Sequence, residues 1–142
     1  MEKPFLIVQS KYYEDISNML LDGAISELNK NGYKHEIKDV IGSLEIPIGI
    51  SMFAKKNKYA GFIALGCIIR GETFHFNIVA RETARALMDL SLSLSIPIGN
   101  GVLTVDNEEQ ALNRADKSKK DFGGHAAKAC IQLFNLNNHW KF

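Results

Sequence analysis

Short apolar runs alternate with longer segments of helical periodicity along the chain, and this alternation predicts most of its fold. Strands are expected over about residues 5–8, 33–40, 60–65 and 96–103, and the second, more polar strand suits a sheet edge. Helices are expected over about 14–30, 47–57, 73–94 and 108–116, and a last helix should turn Ala127, Cys130, Ile131 and Phe134 inward. The pattern predicts one α/β domain, residues 1–142, with a four-stranded parallel sheet covered on both faces.

Polar and aromatic residues follow each predicted strand. Because the carboxyl ends of parallel strands lie together, these residues are expected to meet at one edge of the sheet, where such folds bind ligands. In strand order they are Tyr12 and Tyr13; Ser43, Leu44 and Glu45; Ile68, Ile69, Gly71, Glu72, Thr73 and His75; and Asn100 followed by Arg114. The sequence therefore predicts a small-molecule site at this edge.

The segment from Gly66 to His75 predicts a strand, a glycine turn and a helix N-terminus. The first amides of a helix have no partner within the helix, so an anion such as phosphate could rest on the amides of Glu72 and Thr73, with Gly71 allowing close approach. His75 would lie alongside, and histidine moves protons readily near neutral pH. Taken alone, such a turn is more often an ordinary connection in which Thr73 is the N-cap.

Other loop residues also have both a chemical and a structural interpretation. Tyr12 could stack on a flat heterocycle or only cover the sheet edge. Glu45 could accept hydrogen bonds from a ligand or be a first-turn acid favoured by the helix dipole. Arg114 could pair with phosphate in bidentate fashion or form a surface ion pair with Glu108 or Glu109.

Composition excludes several classes of function. Lys and Arg number 17 and Asp and Glu 16, and the resulting charge of +1 gives no support to nucleic-acid or membrane-surface binding. Cys67 and Cys130, the only cysteines, are expected to be buried thiols in a reducing compartment. Neither a signal peptide nor a bilayer-spanning stretch is apparent, so a cytoplasmic location is expected. Metal-ligand spacing, GxGxxG and GxxxxGK[ST] are absent from the sequence.

Four blocks in this order carry a resemblance to a known family: GSLEIP at 42–47, GCIIRGETFH at 66–75, PIGNGVLT at 97–104 and EQALNRA at 109–115. The chain resembles lumazine synthases over nearly its whole length. The resemblance implies a flavodoxin-like three-layer α/β/α subunit that assembles into pentamers or multiples of pentamers, with each site between neighbouring subunits. It implies condensation of 5-amino-6-(D-ribitylamino)uracil with 3,4-dihydroxy-2-butanone 4-phosphate to give 6,7-dimethyl-8-ribityllumazine, phosphate and water, without cofactor or metal.

The resemblance also implies a role for each matching position. His75 would be the acid–base residue, and the amides of Glu72 and Thr73 would hold the phosphate together with Arg114 of an adjoining subunit. The remaining positions would bind the pyrimidine and its ribityl chain. Tyr12 would stack on the pyrimidine, Ser43, Leu44 and Glu45 would lie along the ribityl chain, Ile68 and Ile69 would contact the heterocycle, and Asn100 stands where the family often has an aromatic residue.

One departure from the family leaves alternatives open. The family usually has Lys-Gly where this chain has Phe122-Gly123, so the role of that lysine is unfilled or passes to Lys119 or Lys120. An archaeal-type riboflavin synthase, which shares the fold and couples two lumazines, is one alternative. A non-catalytic protein that binds lumazine or flavin is another. The Gly71–Thr73 turn and Arg114 favour a phosphate-bearing substrate and argue against the riboflavin synthase, whereas Phe122 is the only support for the non-catalytic alternative.

Overall fold

Four strands and five helices alternate through the structure, a computed structural model that describes residues 2–139. The strands are β1 (Phe5–Ser10), β2 (His35–Val40), β3 (Phe62–Ile69) and β4 (Ile98–Val105). The helices are α1 (Glu14–Lys30), α2 (Glu45–Ala54), α3 (His75–Leu94), α4 (Glu108–Ala115) and α5 (Phe122–His139). The predicted order of strands and helices is therefore confirmed.

The four strands form one parallel sheet in the order β2-β1-β3-β4. All six residues of β1 are buried and β3 is buried almost throughout, because both strands lie inside the sheet and are covered on both faces. Most of β2 is exposed, and β2 is an edge strand as its polar sequence predicts. The chain adds β2 on one side of β1 and then adds β3 and β4 on the other side. In such folds a crevice forms between the two central strands, at their carboxyl ends.

Helices cover the two faces of the sheet and make three layers, as predicted. Alternate side chains of β1 point to opposite faces, so Phe5 and Ile7 join the core under α1, α4 and α5, while Leu6 and Val8 join the core under α2 and α3. Helix α5 crosses α1 so closely that a side chain at Gly123 would collide with the backbone of Leu20. This close crossing fixes the position of the last helix.

Several element ends differ from the prediction. Strand β3 continues to Ile69 and β4 to Val105, because these two residues pair with each other at the end of a long parallel ladder. Helix α2 begins at Glu45, two residues before Pro47. Helix α5 continues to His139, although 135–142 has only a weak apolar pattern; residues 140–142 lie outside the described part. Over residues 2–139, no helix combines the length and the apolar character that crossing a bilayer requires.

Candidate active site

A cavity of about 430 Å³ opens at the carboxyl edge of the sheet, where three loops come together. It receives the residues that follow β1, β2 and β3. Of the residues predicted from the sequence, it is lined by Tyr12, Tyr13, Ser43, Leu44, Glu45, Ile68, Ile69, Gly71, Thr73 and His75. Ser10, Ile41, Gly42, Cys67, Phe76 and Val79 complete the lining.

The polar residues of the second loop lie against the end of β3. Ser43 is buried, and an atom added as a Cβ at Gly66 would lie only 3.1 Å from its hydroxyl oxygen. Gly66 therefore gives the Ser43 side chain its place beside the strand. Glu45 is the first residue of α2, where the helix dipole favours a carboxylate, and its Oε1 would be 3.0 Å from a Cβ at Gly42. The two glycines thus leave room for a hydroxyl and a carboxylate in the lining of the cavity.

The turn between β3 and α3 presents backbone donors. The amide of His75, the first residue of α3, donates to Oγ1 of Thr73 at 3.3 Å, so Thr73 satisfies one amide of the first helical turn. Within residues 2–139, the amides of Glu72, Thr73 and Phe74 donate to no protein acceptor. The prediction that Thr73 is the N-cap is therefore wrong, because Phe74 holds that position; Thr73 accepts from the amide of His75, and the neighbouring amides remain available as donors.

Gly71 stands at the open side of this turn. A Cβ at Gly71 would meet no atom within 4 Å, and its φ lies outside the left-handed region. Neither steric crowding by other residues nor a left-handed backbone conformation therefore requires glycine at position 71. The open space fits the close approach of a ligand to the backbone, which the sequence predicts.

Two tyrosines that follow β1 form an aromatic wall of the cavity. Tyr12 is 76% exposed and lies edge-to-face with Tyr13, with ring centroids 5.0 Å apart and planes at 84°. Burial raises the pKa of Tyr13 above its usual value, with smaller contributions from the neighbouring Cys67 and Tyr12. Burial also raises the pKa of the Cys67 thiol to about 12, so this thiol is neutral at physiological pH. The wall therefore presents an exposed aromatic face and no charge.

The residues associated with β4 lie outside this cavity. Asn100 is the third residue of β4 rather than part of the loop after it, and its Oδ1 accepts a hydrogen bond from the amide of Val102 at 2.9 Å. Arg114 lines a separate cleft beside Lys119, and its Nη1 donates to the carbonyl of Gln110 at 3.2 Å. Helix α4 packs mainly toward α1 and β4, and Arg114 and His75 line different cavities of the single chain. The convergence predicted for four loops therefore holds for three of them in the single chain.

Arg114 also lacks the predicted surface ion pair, since no salt bridge of residues 2–139 includes it. Glu72 is exposed and, unlike its neighbours Gly71 and Thr73, is not among the residues that line the cavity. Phe122 is 38% exposed at the start of α5, and it too lies outside the cavity.

The sequence did not single out Phe76 or Val79, which line the cavity from α3. Because they are three positions apart on α3, they lie on the same side of the helix, which faces β3. This helical spacing is the sequence signal that could have identified them. The sequence did not single out Arg70 either. Its partners are Asp106, which directly follows β4, and Phe76 on α3.

Comparisons with known proteins agree with the resemblance. The family model described as 6,7-dimethyl-8-ribityllumazine synthase matches residues 2–138 of the chain. A protein of that name from Sphingopyxis alaskensis is 47% identical over 135 residues, 95% of each chain. One from Agrobacterium fabrum is 48% identical over 142 aligned residues, 96% of each chain. One from Methylocella silvestris is 51% identical over 137 residues, 93% of this chain and 84% of the relative.

Proposed function

The chain belongs to the 6,7-dimethyl-8-ribityllumazine synthase family, and we propose that it performs this family's reaction in the cavity at the carboxyl edge of its sheet. It is a transferase that condenses 5-amino-6-(D-ribitylamino)uracil with 3,4-dihydroxy-2-butanone 4-phosphate. This condensation is the penultimate step of riboflavin biosynthesis. The observation that carries the site assignment is the open turn at Gly71, where free amides lie next to the side chain of His75 in one cavity.

Two groups of residues around the cavity suit the two substrates. At the turn, the amides of Glu72 and Thr73 bind the phosphate, because partial positive charge at a helix N-terminus favours an anion. In the loop after β2, Ser43 and Glu45 accept hydrogen bonds from the ribityl hydroxyls. Tyr12 stacks on the pyrimidine, and its exposed ring face leaves room for a flat heterocycle.

The apolar side chains of the cavity lining contact the heterocycle. Ile68 and Ile69 at the end of β3 and Leu44 before α2 exclude water from the part of the cavity where the new ring forms. The amine of the pyrimidine attacks the ketone carbonyl, water and phosphate leave, and the ring closes. His75 carries protons between the departing and attacking groups, and the site contributes mainly positioning and proton transfer.

We further propose that the site is completed by a second copy of the chain. Arg114 and Lys119 share a cleft away from the cavity of their own chain, which suits two cations that reach the phosphate of a neighbouring subunit. This arrangement favours Lys119 over Lys120 as the replacement for the family lysine at Phe122. Asn100, exposed on the edge strand β4, would line the pyrimidine pocket across the same boundary.

Exposed apolar side chains on the outer helices support a homo-oligomer. They lie on α2 and α3 and include Ile48, Met52, Ile78, Met88 and Leu92, which are between 47% and 73% exposed in the single chain. Apolar surface of this kind commonly marks an interface between subunits. We propose a pentamer or a multiple of pentamers. The free, buried thiols of Cys67 and Cys130 fit a reducing compartment and support a cytoplasmic location.

Steady-state assays with the purified oligomer test this function. We expect lumazine formation from the two substrates, a slower turnover in His75→Ala, and a raised KM for the phosphorylated ketone in Arg114→Ala. His125→Ala is the matched control, because His125 is also exposed near the start of a helix but lies outside the cavity. Conversion of lumazine alone into riboflavin would instead identify a riboflavin synthase, and ligand binding without turnover would identify a non-catalytic homologue.

A further inference from the structure

Arg70 connects three elements around the phosphate turn. It directly follows β3, and its backbone amide donates to the carbonyl of Val105 at 2.8 Å. Its Nε donates to Oδ1 of Asp106 at 2.8 Å, just beyond the end of β4. Its guanidinium carbon lies 4.5 Å from the ring centroid of Phe76 in the first turn of α3. One side chain therefore joins the ends of two strands to the start of the helix that carries His75.

The turn that this side chain spans has little else to hold it. Residues 71–75 are exposed, and the bond from the His75 amide to Thr73 is local to the turn. Phe76 is the first partly buried residue of α3 and lines the cavity beside His75. The orientation of the free amides and of the imidazole therefore depends on how Phe76 is held against the strands.

We propose that Arg70 is a positioning residue for the phosphate turn, a proposal that rests on the proposed function for its catalytic consequence. The flat guanidinium stacks on Phe76 and at the same time bonds to Asp106, a combination that requires the planar fork of arginine. The stack fixes the first turn of α3, and the ion pair fixes the guanidinium to β4. Glu72, Thr73 and His75 are thereby presented to the substrate in one geometry.

The geometry argues against direct phosphate binding by Arg70. Its Nε is engaged by Asp106, its flat face is covered by Phe76, and it does not line the cavity. A direct phosphate ligand would point its free N–H groups into the cavity. Arg70 therefore acts through the residues that follow it.

The variants Arg70→Ala and Arg70→Lys test the proposal, with Arg85→Ala as the matched control. Arg85 also forms two exposed ion pairs, with Glu82 and Asp89, but both partners lie on α3 itself, beyond its first turn. Hydrogen–deuterium exchange of the peptide covering 70–78 is measured on the substrate-free oligomer, because the amides of His75, Asn77 and Ile78 are hydrogen-bonded at the start of α3 and report its opening. Steady-state kinetics then give kcat and the KM for each substrate, and urea unfolding reports global stability.

We expect Arg70→Ala to speed exchange of this peptide by about three- to thirtyfold, the effect of losing an exposed ion pair and a cation–π contact together. The KM for the phosphorylated ketone should rise by a similar factor, while the KM for the pyrimidine and the urea midpoint stay close to wild type. Arg70→Lys should restore part of the effect, because it keeps the charge and loses the planar stack. Arg85→Ala should leave both the exchange and the KM values unchanged.

Unchanged exchange in Arg70→Ala would overturn the proposal, whatever the kinetics show. A raised KM for the ketone with unchanged exchange would make Arg70 a direct ligand. Faster exchange across the whole chain with a lower urea midpoint would make its role merely structural. Failure of the wild-type protein to convert the two substrates would instead refute the proposed function, while the exchange result would still decide whether Arg70 holds the turn.

Discussion

Replacing Gly66 by alanine tests whether the backbone of β3 gives Ser43 its place in the cavity. The added Cβ would lie 3.1 Å from Oγ of Ser43, 3.3 Å from Cδ1 of Ile46 and 3.7 Å from Cβ of Ser10. The first two distances are shorter than ordinary van der Waals contacts, so Ser43 and Ile46 would have to move by a few tenths of an ångström. Gly66→Ala should therefore disturb both the packing under α2 and the polar lining of the cavity.

The expected magnitudes follow from these contacts. Extra atoms in a well-packed core cost roughly 1–3 kcal/mol, and Gly66→Ala should fall near the lower end, at about 1 kcal/mol, because the closest atoms belong to side chains. A displaced Ser43 hydroxyl would lose a hydrogen bond to the ribityl chain worth about 0.5–1.5 kcal/mol, so the KM for the pyrimidine should rise about two- to thirteenfold. The KM for the phosphorylated ketone should change little, since the atoms nearest to the added Cβ belong to Ser43, Ile46 and Ser10 and none belongs to the phosphate turn.

Urea unfolding and steady-state kinetics measure both effects, and Gly71→Ala is the matched comparison. Gly71 has open space around a Cβ and no left-handed φ, so alanine there should leave stability unchanged or raise it by about 0.4–1 kcal/mol through the unfolded state. Its methyl group would stand where the phosphate approaches, so the KM for the ketone should rise instead. The reasoning is refuted if Gly66→Ala leaves the KM for the pyrimidine at the wild-type value, or if Gly71→Ala destabilises the fold.

Three further predictions concern single side chains. Tyr12→Ala should weaken pyrimidine binding by about 0.5–1.5 kcal/mol through lost stacking, whereas Tyr12→Phe should bind normally; equal KM values for all three proteins would contradict this. Burial raises the pKa values of Cys67 and Cys130 from 9.0 to about 12, so unfolded thiols ionise first and stability should fall as pH rises from about 9 to 12. Urea unfolding from pH 7 to 10.5 should show this slope, and Cys130→Ala should flatten it. Thr83→Val should stabilise the fold by about 1 kcal/mol in thermal unfolding, because the buried Thr83 hydroxyl has no hydrogen-bond partner among residues 2–139. A lower unfolding midpoint in the variant would contradict this and show that the hydroxyl is hydrogen-bonded.

Local patterns were enough to predict the layers of the fold and three of the loops at the site. The apolar runs of β1 and β3 predict buried strands because both strands lie inside the sheet. The ends of β4 could not be predicted in the same way. Thr104 and Val105 look like part of a polar turn in the sequence, and they are strand residues because they pair with Ile68 and Ile69, more than thirty positions earlier.

The contacts that orient the site depend on tertiary structure and therefore could not be predicted from the sequence. Arg70 meets Asp106 and Phe76 only after β3, β4 and α3 have packed together. The place of Arg114 likewise follows from the packing of α4, which carries it away from the cavity of its own chain. A motif identifies such residues, whereas their partners are set by elements distant in the sequence.

Mixing two impaired variants tests the central claim that each site takes His75 from one subunit and Arg114 from its neighbour. His75→Ala and Arg114→Ala proteins are unfolded, combined in equal amounts, reassembled and assayed beside each variant treated alone. If sites form between subunits, random assembly gives about one quarter of the sites both side chains, so the mixture should recover about a quarter of wild-type activity. A mixture no more active than the mean of the two separate variants would contradict the shared site.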